Sequence, residues 1–572
     1  MKKAFRGLSV ILALTLAAGI PGCSRNSPSS STESASEKKV EQIDVFSGGT
    51  NTGGIVDDWW GKAVKDEIGV TFNLLPCGAG QAEQKLQAFM ASGQLPDIIY
   101  FSDIKDIQNA IRGNMIVNLD DHMDKLPDVK KNVPKALQYS RDNLSNGTGK
   151  AYTVTNAVGP ADIYDEVSWG PYLRWDLYQK IGSPAVNTVD DYLTILKKMQ
   201  ELEPKNKDGK KTYGISLFKD WDGNSMMMGT ELGPIFGVDC GDQLAGAPFL
   251  QVDFTNGQTK NILDADSWYI KALQFYYKAN QMGLLDPDSL TQTYATVSDK
   301  VKEGRVLFSW WPWFSSPYNT SDHTNADNPS GFAAVLPKNA KGEIPGDNNV
   351  GKKIGIAISS STKKLDACLK FVNHVYSVEG MELAYNGPKG VVWDTDDSGK
   401  QAVTAQGWEY INDPNKELPG GHSLSGTGPF GSFGLSSAFI NPETKEPISY
   451  HFWETTSEYN KAHQNKIQKS WSDTTGYLTT LDYVKAKKLY VEIPLAQSLL
   501  PTQPDDVSLA ASRVGEIVKT DSWKMVFAKN DAEFQSYYND MKTKAEGLGM
   551  KTVYDWSLKA WKSALASASK YQ

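Results

Sequence analysis

The stretch from Val40 to Phe101 alternates strand and helix signals in a fixed order, and that order leaves few folds open. "VEQIDVFSGG" alternates apolar and polar residues and predicts a first strand. "TNTGG" follows as a loop, and "IVDDWWGKAVKDEIG" predicts a helix stopped by Gly69. "VTFNLLP" predicts a second strand, "AEQKLQAFMASGQ" a second helix and "PDIIYF" a buried third strand. Strand–helix–strand–helix–strand is the order of a mostly parallel α/β sheet. Such sheets bind ligands beyond the carboxyl ends of their strands. That rule directs attention to "GGTNTGG" with Asn51, to Phe101–Asp103, and to "SWWPWF" from Ser309.

The same pattern continues. "TVDDYLTILKKMQELEP" predicts a helix with Thr188 as cap and acids in its first turn. "KTYGISLF" predicts a strand, and "SWYIKALQFYYKANQMGLLDPD" a long helix whose Trp268, Tyr269, Phe275 and Tyr276 pack inward. "GKKIGIAISSS" predicts a strand, followed by the helical "LDACLKFVNHVYSVEGMELAYNG". Residues from about 395 to 475 are rich in Gly, Pro and aromatics and show no period, and the last stretch from "SRVGEIVKT" is helical. At 572 residues the chain is too long for one core, so two lobes are expected.

Ahead of the folded part, "MKKAFRG" is basic, "LSVILALTLAAGI" is an apolar run too short for a stable membrane span, and "IPGC" ends it at Cys23. This is a secretion signal, and the Cys after a small residue resembles the bacterial lipoprotein box, which implies lipidation of Cys23. A Ser-rich tether, "SRNSPSSSTESASEKK", follows. Cys77, Cys240 and Cys368 are widely spaced, which predicts unpaired thiols and no CxxC metal site. The six histidines are scattered without metal spacing, and no P-loop, HExxH or nucleophile elbow is present. A net charge of −8 argues against nucleic acid as partner. No cofactor is expected.

Four landmarks carry a family resemblance: "GQLPDIIYFSDIKDIQNAIRGNMIVNLDDHMDK", "PYLRWDLYQKIGSPAVNTVDDYLTILKKM", "VKEGRVLFSWWPWF" and "KKIGIAISSSTKKLDACLKFVNHVYSVEGMELAYNGPKGVV". In this order they resemble the extracellular solute-binding proteins of bacterial ABC importers, the family that includes maltose-binding protein. The resemblance implies a periplasmic-binding-protein-like fold. Each of its two lobes is a mostly parallel sheet flanked by helices, with the ligand cleft between them. The expected layout is 1–22 signal, 23–40 lipidated Cys and tether, 41–157 plus about 354–395 first lobe, and 158–353 plus about 396–572 second lobe. The chain would cross between lobes near residues 158 and 353.

The implied partners are an oligosaccharide and an ABC permease. The implied state is a monomer held to the outer face of the cell membrane, of Gram-positive type, by its lipid alone. Trp313 falls at the family's Pro-Trp stacking position and Phe101 at a second stacking aromatic. Asp103 and Arg174 fall where hydroxyls are bound, while Leu173 stands where maltose-binding protein has a stacking tyrosine. Asn51, Asp58, Trp59 and Trp311 complete the candidate set. "EPKNKDGKKTYG" is similar to a calcium loop found here in long members, but Pro204 and Ile215 occupy its first and twelfth positions, which predicts a turn without the ion. Two other classes stay open at this level. A secreted carbohydrate-active enzyme needs two carboxylates that sequence cannot pair, and a carrier of peptides or other solutes would share the fold.

Overall fold

The computed structural model describes residues 40–571, apart from 48–52, 76–81, 161–166, 242–243, 245, 345, 347, 398, 414–415, 425–433 and 450. Cys23, Asn51 and Cys77 therefore lie outside the described residues.

The first lobe is built on a six-stranded sheet. Glu41–Ser47 lies between Val70–Leu75 and Ile98–Phe101, parallel to both, with Val45 opposite Leu74 on one side and Ile98 on the other. Lys352–Ile358 then returns antiparallel beside Ile98–Phe101, and Val154–Asn156 closes the far edge. Both faces are buried, as the near-continuous apolar strands require. Ile43, Val45, Phe72, Ile98 and Ile356 face one core, whereas Phe46, Ile99, Phe101 and Ala357 face another.

The helix Trp59–Ile68 starts where the Asp58 carboxylate accepts the Gly61 N–H at 2.8 Å and stops at Gly69, whose φ of 71° is left-handed. It buries Trp59, Trp60 and Val64 against the sheet.

The second lobe is centred on Tyr172–Arg174, which pairs with Phe308–Ser309 and Phe332–Ala334. Both pairings are antiparallel; parallel pairing in this lobe is confined to the short pair Gly342–Ile344 with Tyr490–Glu492 and to single bridges, Tyr213 with Val306 and Ile215 with Leu285. The two-lobed α/β class agrees with the sequence reading, but the strand directions of this lobe do not read as mostly parallel. Its strands are two to four residues long, and strand–helix alternation does not fix the direction of such short pieces. Helices Asp190–Leu202, Trp268–Gln281, Asp505–Val526 and Asp531–Gly547 cover them. In Trp268–Gln281, Tyr269, Phe275 and Tyr276 are buried as expected, and Trp268 stacks on Phe236. Thr188 is not the cap of Asp190–Leu202; its own N–H and that of Asn187 are held by the Asp191 carboxylate.

The lobe boundaries differ from the sequence reading in two places. The sequence reading places residues after 395 in the second lobe, yet Tyr410, Leu418, Leu435, Ile448, Phe452 and Trp453 lie in the first-lobe core. Local periodicity is absent there because these side chains are held by distant partners: the Tyr385 hydroxyl donates to the Leu435 carbonyl, and the Asn386 amide donates to Ile448. The chain thus passes toward the second-lobe core a further time between Tyr459 and Ile467.

The C-terminal helix Met550–Ala568 also departs from the reading. Its Trp561, Ala564 and Ala568 share a core with Phe46, Phe101 and Ile107 of the first lobe. Tyr571 donates to Asp142 at 3.0 Å and its ring meets Tyr139 at 5.7 Å, so the chain ends pinned to the first lobe. No helix among the described residues is long and apolar enough to cross a membrane.

Candidate functional site

The "SWWPWF" segment divides its three tryptophans between core and surface. Trp310 continues the strand inward: it is buried, edge-on to Phe308 at 4.5 Å, and its indole N–H donates to the Tyr276 hydroxyl at 2.8 Å. Trp311, still extended, faces the other way, as adjacent strand residues must. Its N–H donates to the Glu231 carboxylate at 2.9 Å. Pro312 then opens the short helix Pro312–Ser315, the position where a missing N–H costs nothing. That turn lays Trp313 flat on Trp311, with centroids 4.8 Å apart and planes at 14°.

Two further aromatics from distant segments complete a wall. Trp221 lies 6.0 Å from Trp313 with its plane tilted by 31°, and Tyr294 stacks on Trp221 at 4.7 Å. Phe218 and Phe314 form the buried floor beneath them. Trp313 and Trp221 remain 43% and 45% exposed, which sets them apart from the other aromatics of this lobe. Acids hold the wall in place. Asp220 accepts the Tyr294 backbone N–H at 2.9 Å, and Asp222 accepts the Trp523 indole N–H at 2.7 Å. The result is a rigid, apolar, half-exposed surface with carboxylates at its margin.

The remaining candidates separate from this wall. Phe101 is fully buried beneath the first-lobe sheet, because the strand's alternation turns it to the face covered by Ile104–Arg112 and the C-terminal helix. Trp59 is 4% exposed in the opposite core, since the helix that Asp58 caps presents its first turn to the sheet. Asp58 spends its carboxylate on that cap. Asp103 caps Ile104–Arg112 through Lys105 N at 2.7 Å and stays exposed, beside the Lys105–Asp505 ion pair that links the lobes.

Arg174 sits at the end of its strand away from Ser309 and is buried. It donates to both oxygens of Asp176 at 2.9 and 3.0 Å and to Glu203 at 3.1 Å, with the Tyr318 ring 4.6 Å from its guanidinium carbon. Four hydrogen bonds to these two carboxylates make it part of an ion cluster. The sequence missed Trp221 and Tyr294. Their signal was present, a Trp in the polar loop directly after "KTYGISLF", which the structure holds by single bridges at Tyr213 and Ile215 and not as the expected strand, but 73 residues part Trp221 from Tyr294.

The "EPKNKDGKKTYG" segment is a turn that supplies its own ligands. The Asn206 side-chain oxygen accepts from Asp208 N and Lys210 N, and its amide donates to Glu303 O at 2.8 Å. Cys240 and Cys368 are buried.

Two sheet-based lobes joined by several crossings, with an exposed aromatic wall on one of them, are the architecture of a solute-binding class. The sequence family confirms the class: the bacterial extracellular solute-binding protein profile matches residues 59–414, and the chain belongs to that family. Lipoprotein LipO of Bacillus subtilis (strain 168) is 24% identical over 326 residues, which are 54% of this chain and 58% of that relative's length.

Among solved structures, the HMO-binding ABC-transporter-associated solute-binding protein of Bifidobacterium longum infantis superposes with a TM-score of 0.58 at 16% identity, over 92% of this chain and 99% of that one. An EF-hand mutant of the S. pneumoniae substrate-binding protein FusA, in complex with fructo-nystose, gives 0.57 at 15%, covering 92% and 100%. The N-glycan transport solute-binding protein NgtS of Streptococcus pneumoniae gives 0.53 at 14%, covering 92% and 99%. These likenesses establish a shared two-lobed fold.

Proposed function

We propose that the protein is a lipid-anchored receptor of an ABC importer that captures an oligosaccharide and passes it to a membrane permease. The wall of Trp221, Tyr294, Trp311 and Trp313 carries this reading. A pyranose ring has an apolar C–H face, and laying roughly 50 Å² of it on an indole is worth on the order of 1 kcal/mol at about 25 cal/mol/Å². Two exposed indoles side by side accept successive sugar units, while carboxylates at the margin receive hydroxyls. Asp103, exposed on the first lobe near the Lys105–Asp505 bridge, is the proposed hydroxyl acceptor from the opposite side of the cleft. Closure of the lobes then couples capture to a change the permease can sense. The oligosaccharides named for the structural relatives support the substrate class, and the lipoprotein relative supports anchoring through Cys23 at a Gram-positive-type surface. The protein carries its ligand and does not cleave it.

Thermal melts of the purified protein against neutral and acidic oligosaccharides, with di- and tripeptides as controls, test this. A ligand at 100 times its dissociation constant adds about 2.7 kcal/mol of stability. The expected outcome is a shift with an oligosaccharide that Trp313→Ala abolishes. A shift with peptides alone would transfer the protein to a different substrate class, and slow cleavage of a glycan would make it an enzyme. Cys23→Ala is expected to move the protein from the membrane fraction to the medium.

A further inference from the structure

Behind the short helix that carries Trp313 lies a cavity of about 330 Å³, bounded by Pro312 and Ser316 on one side and by the 460–468 crossing segment and Trp471 on the other. Its size is at the lower end of small-molecule sites, and it shares one helical turn with the aromatic wall. None of the side chains that line it is charged; hydroxyls and carboxamides alternate there with Trp471, Ile467 and Phe332.

The carboxamides keep capacity that the described chain does not use. The Gln464 amide nitrogen is buried without a hydrogen-bond partner among the described residues. Asn460 commits its amide to the carbonyls of Glu454 and Thr456, which leaves its oxygen. Gln468 commits its oxygen to Asn465 N, which leaves its amide. A buried amide with no partner is penalised by the water it has lost, so a cavity lined this way is stabilised by a ligand that both donates and accepts.

We propose that this cavity is a second sugar site, taking one uncharged sugar unit at the end of the oligosaccharide whose neighbouring units lie on Trp313 and Trp221. The inference rests on the oligosaccharide reading above and makes it narrower. A hydroxyl is donor and acceptor at once and matches the mixed capacity of Asn460, Gln464 and Gln468, while Trp471 and Ile467 supply an apolar face.

An acidic unit is excluded on two grounds. A carboxylate buried without a cation is strongly penalised. The N–H donors at the start of helix Lys466–Thr475, which would otherwise attract an anion, are already occupied: Asn465 accepts from Ile467 N and Gln468 N, and Asn325 accepts from Lys466 N. Gln464 lies on the crossing between the lobes, so filling this site also fixes a segment that closure must move.

Calorimetric titration of the intact protein with neutral gluco-, fructo- and manno-oligosaccharides of three to six units, and with oligogalacturonides and oligoalginates of equal length, decides the matter. The expected result is at least tenfold tighter binding of a neutral ligand. Gln464→Leu should weaken that ligand tenfold or more while raising the melting temperature of the free protein, a pairing that a purely structural glutamine would not give. Ser316→Trp, which plugs the cavity, should also weaken it.

Unchanged affinity in both variants, with Trp313→Ala still abolishing binding, would overturn the second site and leave the oligosaccharide reading intact. Equal affinity for oligouronates would overturn the assignment to an uncharged unit. Failure of every oligosaccharide on the wild type would overturn both.

Discussion

Replacing Arg174 by Met separates a binding arginine from a structural one. In the structure its guanidinium makes a paired contact with Asp176 at 2.9 and 3.0 Å, reaches Glu203 at 3.1 Å and lies against Tyr318. The side chains of Arg174 and Asp176 are 2% and 8% exposed, and Glu203 is 29% exposed. Methionine fills most of the volume but leaves the Asp176 carboxylate buried, with the Gly331 N–H at 3.3 Å as its remaining described donor.

Removing one partner of a buried pair costs about 3–5 kcal/mol. The lower end applies here, because Glu203 can turn to water once released. In a lobe of this size each kcal/mol moves the melting temperature by roughly 2–4 °C, so a fall of roughly 6–12 °C is expected. Urea unfolding followed by tryptophan fluorescence reads the stability, and titration with the bound oligosaccharide reads the affinity of the folded fraction, which should stay at its wild-type value. Replacing Asp176 by Leu in the same chain should recover part of the loss, since the orphaned charge is then gone. A variant within about 0.5 kcal/mol of wild type that no longer binds ligand would refute the argument and return Arg174 to the ligand site; that margin is the scatter of neutral substitutions.

Two further predictions concern pH. Asp239 and Glu343 are buried and hydrogen-bonded to each other, and burial pushes both carboxyls above their ordinary range. The folded pair therefore holds a proton that the unfolded chain has released above about pH 4.5, and stability falls as pH rises from there. Glu343→Gln supplies a donor without the proton, so it should be more stable than wild type at pH 8 and nearly equal at pH 4; a loss at pH 8 would contradict the pairing. His374 works in the opposite sense. Burial lowers it from 6.5 to about 4, so its contribution is complete above pH 6.5 and is lost as pH falls toward 4. At 1.36 kcal/mol per unit, the 2.5 units between these values amount to about 3 kcal/mol, and His374→Gln should flatten the urea midpoint over that window by a comparable amount.

The sequence by itself determined whatever depends on neighbours in the chain. Alternation in "EQIDVFS", "VTFNLL" and "IIYF" set the strands of the first lobe. Asp58, Asp103 and Ser267, each at the start of an apolar period, set helix beginnings because a cap bonds two or three residues ahead. The Pro after Trp311 set the turn that exposes Trp313. Ordered landmarks were enough for the family.

Tertiary structure alone decided which side chains would meet. Phe101 and Trp313 are alike in sequence, each an aromatic at a strand's end, but Phe101 is covered by a helix that arrives about 450 residues later. Arg174 looks free until Glu203 and Tyr318 close over it. Trp221, Tyr294 and Trp313 form one surface although no local period connects them. Caps and periods are fixed by backbone geometry over a few residues, whereas burial and a shared surface depend on contacts between segments hundreds of residues apart.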